Sequence, residues 1–276
     1  MSSRFSLRTL AAAALLAGTL PAGALPQHLP VPGGVAVIPL DEAGDTPPRV
    51  RFGDNTPVAV ARQQGRWYAL VGISLDSSPS QVHLNVTGPR GSRTLEFDIG
   101  HKNYPTQRLV VRDTRKVEPR AEDLARIVQE KELTGRIKAH YEDRPVEPDF
   151  VLPAKGRLSS RFGLRRFFNG QPRDPHAGLD VAVGTGAAIR APAAGIVANV
   201  GDYFFNGNTV FIDHGQGLVS AYMHLSRVDV QEGQTVRRGE ILGAAGATGR
   251  VTGPHLHWAV FLNGTAVDPE LFLPRQ

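Results

Sequence analysis

The 276-residue chain contains no cysteine. Disulfides and thiolate metal sites are therefore excluded, and any metal must be held by His, Asp or Glu. Beyond the N-terminus, no apolar run approaches the about 20 residues that a membrane-spanning helix needs. A dense Lys/Arg run with interleaved aromatics is also missing, which argues against nucleic-acid binding despite a net charge of +5.

The N-terminus itself, "MSSRFSLRTLAAAALLAGTLPAGALPQ", has a distinct form. Arg4 and Arg8 make a basic start, Leu10 to Leu20 is apolar, and Ala22-Gly23-Ala24 is a small-residue exit. This is the three-part pattern of a secretory signal, with cleavage expected after Ala24. The apolar run is too short to span a bilayer comfortably. Losing Arg4 and Arg8 takes the net charge from +5 to +3. A basic exported protein suits an anionic polymer or lipid outside the cytoplasm.

Patterning divides the rest into three parts, at 25–112, 113–152 and 153–276. The first has short alternating runs such as "PVAVARQQGRWYALVGI" and "QVHLNVTGPRGSRTLEFDI", separated by turn material. A small β-domain of six or seven strands is expected. The second begins with "VEPRAEDLARIVQEKELTGRIKAHY", where Leu124, Ile127 and Val128 share a helical face that Ile137 and Tyr141 continue. Pro119 suits a first turn, and Gly135 leaves open a break into two helices. "EDRPVEPDFVLP" then reads as a proline-rich inter-domain linker. In the third, glycines recur at turn positions between short apolar runs, as in an antiparallel all-β domain with tight hairpins.

Five of the nine histidines lie in this last part: His176, His214, His224, His255 and His257. In "TGPHLHWAV", strand alternation points His255 and His257 the same way. "DPHAGLDVAV" places His176 and Asp180 four apart on a loop entering a strand, and Gly178 permits a tight chain path. A catalytic zinc commonly takes three His, Asp or Glu ligands and leaves a fourth position for water. His176, Asp180 and one strand histidine would meet that need, with the other free to handle protons. His224, in "SAYMHLSRV", ends an apolar run beside an expected turn at Ser226. It is either a satisfied rim residue, a second base or a transition-state stabiliser. Asp213 and His214 read as fixing a turn.

Five segments in order, "SSRFGLR", "HAGLD", "NTVFIDHG", "YMHLS" and "TGPHLHW", resemble the LytM/lysostaphin-type zinc metallopeptidases that cut cell-wall peptides. The resemblance covers roughly Leu158 to Pro269. It implies His176, Asp180 and His257 as zinc ligands, with His255 and His224 as the catalytic histidines. It also implies a mainly β fold: an antiparallel all-β peptidase domain with an open groove, preceded by a small β-domain and a linker helix. Tyr203, Phe204, Phe205 and Trp258 are placed either along that groove or in the core. The expected activity is endopeptidase cleavage of peptidoglycan cross-links in the periplasm, with secretion second. The preferred target is the D-alanyl–meso-diaminopimelate bond, by analogy. The β-domain before it either covers the groove or positions the enzyme on the wall. Some relatives supply an extra zinc ligand from such a segment.

Two other readings compete. Some relatives lose zinc ligands and activate a separate cell-wall amidase, but here all five positions are filled. "AIRAPAAGIVANVG" and "VQEGQTVRRGEILGAAG" resemble the half-motifs of biotin- and lipoyl-carrier domains. A carrier needs an exposed lysine at a hairpin tip, and none follows Arg157.

Overall fold

The structure is a computed structural model that describes residues 24–42, 44–53 and 55–275. The expected signal segment 1–24 lies outside the described residues apart from Ala24. The fold is mainly β. Six strands form the first sheet: β1 (Val35–Pro39), β2 (Arg49–Phe52), β3 (Thr56–Gln63), β4 (Arg66–Gly72), β5 (Ser80–Gly88) and β6 (Gly91–Ile99). Their order is β1-β4-β3-β2-β5-β6. Alternation of apolar and polar residues makes this a two-faced sheet, with Leu84 and Val86 of β5 buried and their neighbours exposed.

β7 (Thr106–Leu109) leaves that sheet behind, and α1 (Ala121–Lys138) follows. The helix is continuous through Gly135, so the break into two does not occur. Pro119 precedes the N-cap Arg120 and does not sit in the first turn. The buried stripe is also rotated from the expected one. Asp123, Thr134 and Ile137 are buried, whereas Leu124 and Val128 are 52% and 55% exposed. The helix packs Ile137 into a cluster with Phe211, Val219, Ala221 and Phe261 of the sheet, and Arg126 and Glu130 fix its rotation by reaching the Asp202 carbonyl and the Phe204 N–H. Two specific polar contacts override a diffuse apolar preference.

The C-terminal part runs β8 (Arg157–Ser160), β9 (Arg165–Phe168), β10 (Gln171–Arg173), β11 (Leu179–Ala182), β12 (Ala188–Arg190), β13 (Gly195–Tyr203), β14 (Gly207–Asp213), β15 (Leu218–Val228), β16 (Thr235–Val236), β17 (Ile241–Ala245), β18 (Leu256–Leu262) and β19 (Thr265–Val267). Its main path is β16-β13-β14-β15-β18-β11-β8. β18 is buried along its whole length, as a central strand covered on both faces requires. Among the described residues all strand pairings are antiparallel except one: β7 lies parallel to β9, opposing Gln107 to Arg166.

The two sheets share one core. Val35, Ala59, Ala61 and Leu70 of the first pack in the same cluster as Leu218, Trp258, Val260 and Leu262 of the second. Asn263 receives the Gly72 N–H at 2.6 Å and donates to its carbonyl, and Gln216 Oε1 accepts from the Val60 N–H at 2.7 Å. The proline-rich stretch is a packed strap and not a free tether, because Val146 and Phe150 are buried in that cluster. Phe150 stacks on Phe272 with ring centroids 5.3 Å apart.

Candidate metal centre

Two strands and one loop build the site. β11 pairs with β18 so that Asp180 stands directly opposite His257. Side chains opposite each other on one sheet face are within contact range, so the register alone brings this carboxylate and imidazole together. His176 comes from the loop before β11. The 161–164 loop clasps it through two backbone bonds, Gly163 N–H to the His176 carbonyl and His176 N–H to the Leu164 carbonyl. Gly163 adopts φ +82°, and a Cβ there would lie 2.0 Å from the Tyr104 ring. Glycine is required at that position on both counts.

Three atoms converge. Asp180 Oδ1 lies 3.0 Å from His176 Nε2 and 2.7 Å from His257 Nδ1, and the two nitrogens are 3.0 Å apart. Tetrahedral ligands at about 2.0–2.1 Å from zinc would be roughly 3.3 Å apart, close to this triangle. The donor chemistry also fits. His176 gives its Nδ1–H to the Arg161 carbonyl at 2.7 Å. A neutral His176 then turns a bare Nε2 lone pair toward a carboxylate oxygen, an arrangement that a cation resolves. Burial lowers His257 to about 4, which keeps it a neutral ligand. Burial pushes the Asp180 carboxyl up, but its contacts with the His176 and His257 imidazoles outweigh it and hold the group well below the usual carboxylate range. Gly178 makes the approach sterically feasible, since a Cβ there would meet His257 Nε2 at 2.6 Å.

His224 and His255 lie beside the triangle. Each donates Nδ1–H to a backbone carbonyl at 2.8 Å, Thr248 for His224 and Gly253 for His255. Both therefore present Nε2 to the site. Their ring centroids are 4.9 Å apart, and His255 Nε2 is 3.8 Å from Asp180 Oδ1. Burial first, then the neighbouring histidines, lowers His224 to about 3, so it is neutral at rest. No turn forms at Ser226, because β15 continues to Val228. It changes partner instead, pairing with β18 up to Met223 and with β17 from Leu225. His224 sits at that switch with φ +65°, a left-handed conformation costing a non-glycine residue about 1–2 kcal/mol. The kink is what aims its ring at the triangle.

Residue patterns alone missed the second carboxylate oxygen's partner. Arg166 donates to Asp180 Oδ2 at 2.9 Å, leaving Oδ1 for the triangle, and Gln107 accepts from Arg166 Nε at 3.2 Å. The alternation in "RRFF" places Arg166 and Phe168 on one face, which was the available signal. Gln107 could be found only through the parallel pairing of β7 with β9. No His, Asp or Glu of the N-terminal part joins the triangle among the described residues. A second acidic group, His140, Glu142 and Asp213, is bridged by Arg144, which donates to both carboxylates at 2.7 Å. His214 is a core residue, bonded to Ser220 Oγ at 2.7 Å and the Ala194 carbonyl at 2.8 Å.

Two cavities of about 280 Å³ flank the triangle. Leu109, Val111, Ser160 and Pro254 line the first. Pro175, Phe205, Met223 and Phe261 line the second. Of the aromatics weighed for the groove, only Phe205 lines a cavity, whereas Trp258, Tyr203 and Phe204 are buried. The Arg250 guanidinium spans between the cavities, 4.8 Å from the Phe168 ring and 4.4 Å from that of Phe205.

The sequence model for Peptidase family M23 matches residues 174–269, and that for the Peptidase family M23 N-terminal domain matches 28–102. The peptidoglycan DD-endopeptidase ShyA of Vibrio cholerae is 38% identical over 120 residues, which is 43% of this chain and 28% of ShyA. The DD-carboxypeptidase/endopeptidase Mpg of Neisseria meningitidis is 42% identical over 113 residues, 41% of this chain and 26% of Mpg. The matched part is thus only about a quarter of these curated relatives. A crystal structure assigned to peptidase M23 from Pseudomonas aeruginosa is 44% identical, with a TM-score of 0.75. That match covers 88% of this chain and 94% of the other. A likeness of that extent reaches across both sheets, with the triangle inside the matched segment, and the chain belongs to peptidase family M23.

Proposed function

We propose that the chain is a zinc-dependent endopeptidase that hydrolyses peptide cross-links of bacterial peptidoglycan in the periplasm. The observation that carries this reading is the convergence of His176 Nε2, Asp180 Oδ1 and His257 Nδ1, with two further imidazoles turned to the same space. The name of ShyA supplies the polymer. The N-terminal Arg4/Arg8 and apolar pattern supplies the compartment. No helix among the described residues is long and apolar enough to cross a membrane.

His176, Asp180 and His257 would hold the metal. When bound, zinc supplies a Lewis acid for the scissile carbonyl and acidifies water toward neutrality. The chain's own residues do the rest. His255 Nε2, held by its Nδ1 bond to Gly253, is placed to take the proton of the attacking water. The proton that His255 takes is the one returned to the leaving amine, and His224 Nε2, neutral with its Nδ1–H held by Thr248, faces the same space as a second proton acceptor. Arg166 occupies Asp180 Oδ2 and fixes the carboxylate's rotation.

The preferred bond is D-alanyl–meso-diaminopimelate. Digestion of purified sacculi tests it: cross-linked dimers should disappear as monomers form. Intact dimers after prolonged digestion with zinc-loaded protein would refute the reading.

A further inference from the structure

Away from the groove, several arginines have carboxylate partners. Arg93 pairs with Glu42, Arg115 with Asp123, Arg126 with Glu130 and Arg144 with Asp213. Beside the candidate metal centre the pattern changes. Arg166 is committed to Asp180. Arg250 and Lys138 line the second cavity together with His176, His224 and His257. Among the described residues, neither has a carboxylate within ion-pair distance. The carboxylate that lines this cavity is Asp174, which is exposed.

Both cations are held on aromatic faces. The Lys138 ammonium lies 4.9 Å from the Phe261 ring, and Arg250 spans Phe168 and Phe205. Such contacts contribute about 0.5–2 kcal/mol and fix position, but they do not replace a counter-ion. Burial pushes Arg250 down to about 10 and lowers Lys138 as well. Two partly desolvated cations, with only the exposed Asp174 acting on Arg250 from a distance, are costly in the free protein. An anion arriving with the substrate would find them already stripped of water and oriented. The cavity floor beside them, Met223, Ala259 and Phe261, is apolar and would strengthen such a pair.

We propose that Arg250 and Lys138 form a carboxylate-binding subsite in the groove, which takes a free carboxylate of the substrate peptide as the scissile bond reaches the metal centre. This rests on the peptide-hydrolase reading above. Lys138 ends α1, outside both segments matched by the family models. The segment between the two sheets thus contributes directly to substrate choice. Arg250, from the loop before β18, supplies the planar fork that suits a carboxylate. The carboxylate can be the C-terminus of a stem peptide or a side-chain carboxylate within it, and the two are separable by amidating each in turn.

The test uses the full zinc-loaded chain and synthetic cross-linked stem peptides in three forms: free carboxylates, C-terminal amide and side-chain amide. Wild type should prefer the free form over one amide by about tenfold or more, the range of one charge-assisted hydrogen bond, carried by KM. Arg250→Gln and Lys138→Gln should each remove most of that preference, leaving kcat and the disfavoured amide nearly unchanged. Arg250→Lys should recover part of it. The same peptides, fluorescently labelled, are titrated against the His255→Ala chain to read affinity without turnover. Equal losses on all three peptides, or no discrimination by wild type, would overturn the subsite while leaving the peptidase reading intact. Discrimination in affinity with no cleavage by wild type would overturn the peptidase reading and keep the subsite.

Discussion

His255 and His257 lie two residues apart, yet the structure places them differently, and the proposed function gives them different work. Replacing each by alanine separates the two roles. His257 Nδ1 is 2.7 Å from Asp180 Oδ1 and 3.0 Å from His176 Nε2, so it is one corner of the triangle that would hold the metal. Removing it leaves two ligands, a larger loss than the about 10–100-fold in affinity that an outer partner is worth. His255 stands outside the triangle, with Nε2 3.8 Å from Asp180 Oδ1 and Nδ1 tied to Gly253. Its loss should change zinc affinity by less than about tenfold, the lower end for an outer partner. Turnover should nevertheless fall by about 10²–10⁴, the share of a positioned acid or base. That corresponds to about 3–5 kcal/mol of barrier. Zinc content after dialysis, chelator competition and peptide hydrolysis measured on the same samples give the result. The His257→Ala protein should be empty and inactive, and the His255→Ala protein loaded and slow. If His255→Ala is as empty as His257→Ala, the role assignment is wrong.

Three other outcomes follow from the geometry. Gly178→Ala puts a Cβ 2.6 Å from His257 Nε2 and 2.7 Å from the Trp258 carbonyl; it should cost about 1–3 kcal/mol of stability and most of the zinc affinity, read by urea unfolding and chelator competition. Burial lowers His214 from 6.5 to about 4. The unfolded chain therefore binds its proton first, and the stability this histidine contributes is present above about pH 6.5 and lost as pH falls through about 4, amounting to about 3 kcal/mol. Unfolding at a series of pH values should show a shallower acid loss for His214→Gln than for wild type, and equal slopes would count against it. Deleting residues 25–112 uncovers Trp258-side core positions that Val35, Ala59 and Leu70 seal, so the remaining chain should melt at a lower temperature or aggregate. Unchanged melting would show that the shared core contributes little.

That His176, Asp180 and a histidine of the later strand could meet was legible because the pattern is short-range, and the resemblance chose His257 over His255. The His176–Asp180 spacing and the His255/His257 alternation survive any tertiary arrangement, and strand register then opposes Asp180 to His257. The strands themselves were legible from period-two alternation and turn residues. What stayed hidden depends on distant segments. Arg166 becomes the partner of Asp180 only when β9 is laid beside β7, and Gln107 reaches it from 59 residues away. The face of α1 was misread because Leu124 and Val128 look like a buried stripe, whereas Arg126 and Glu130 settle the rotation by polar contacts to the Asp202–Phe204 stretch. The strap before β8 looked like a tether because prolines signal extension but say nothing of what Val146 and Phe150 meet. His224 looked like a strand end, since no sequence pattern announces a left-handed residue at which a strand changes neighbours.

The triangle has a consequence for a chain without cysteine. Its corners are local on one side only: His257 is 77 residues from Asp180 and 81 from His176 along the chain. A metal held there is a cross-link across a loop of that length, tying the 161–164 clasp and β11 to β18. Closing such a loop removes about 4 kcal/mol of chain entropy from the unfolded state by the relation used for disulfides. Unlike a disulfide, this clip needs no oxidant, and it can be withdrawn by lowering the free zinc concentration. Metal supply would then govern how long the folded protein survives as well as whether it cuts.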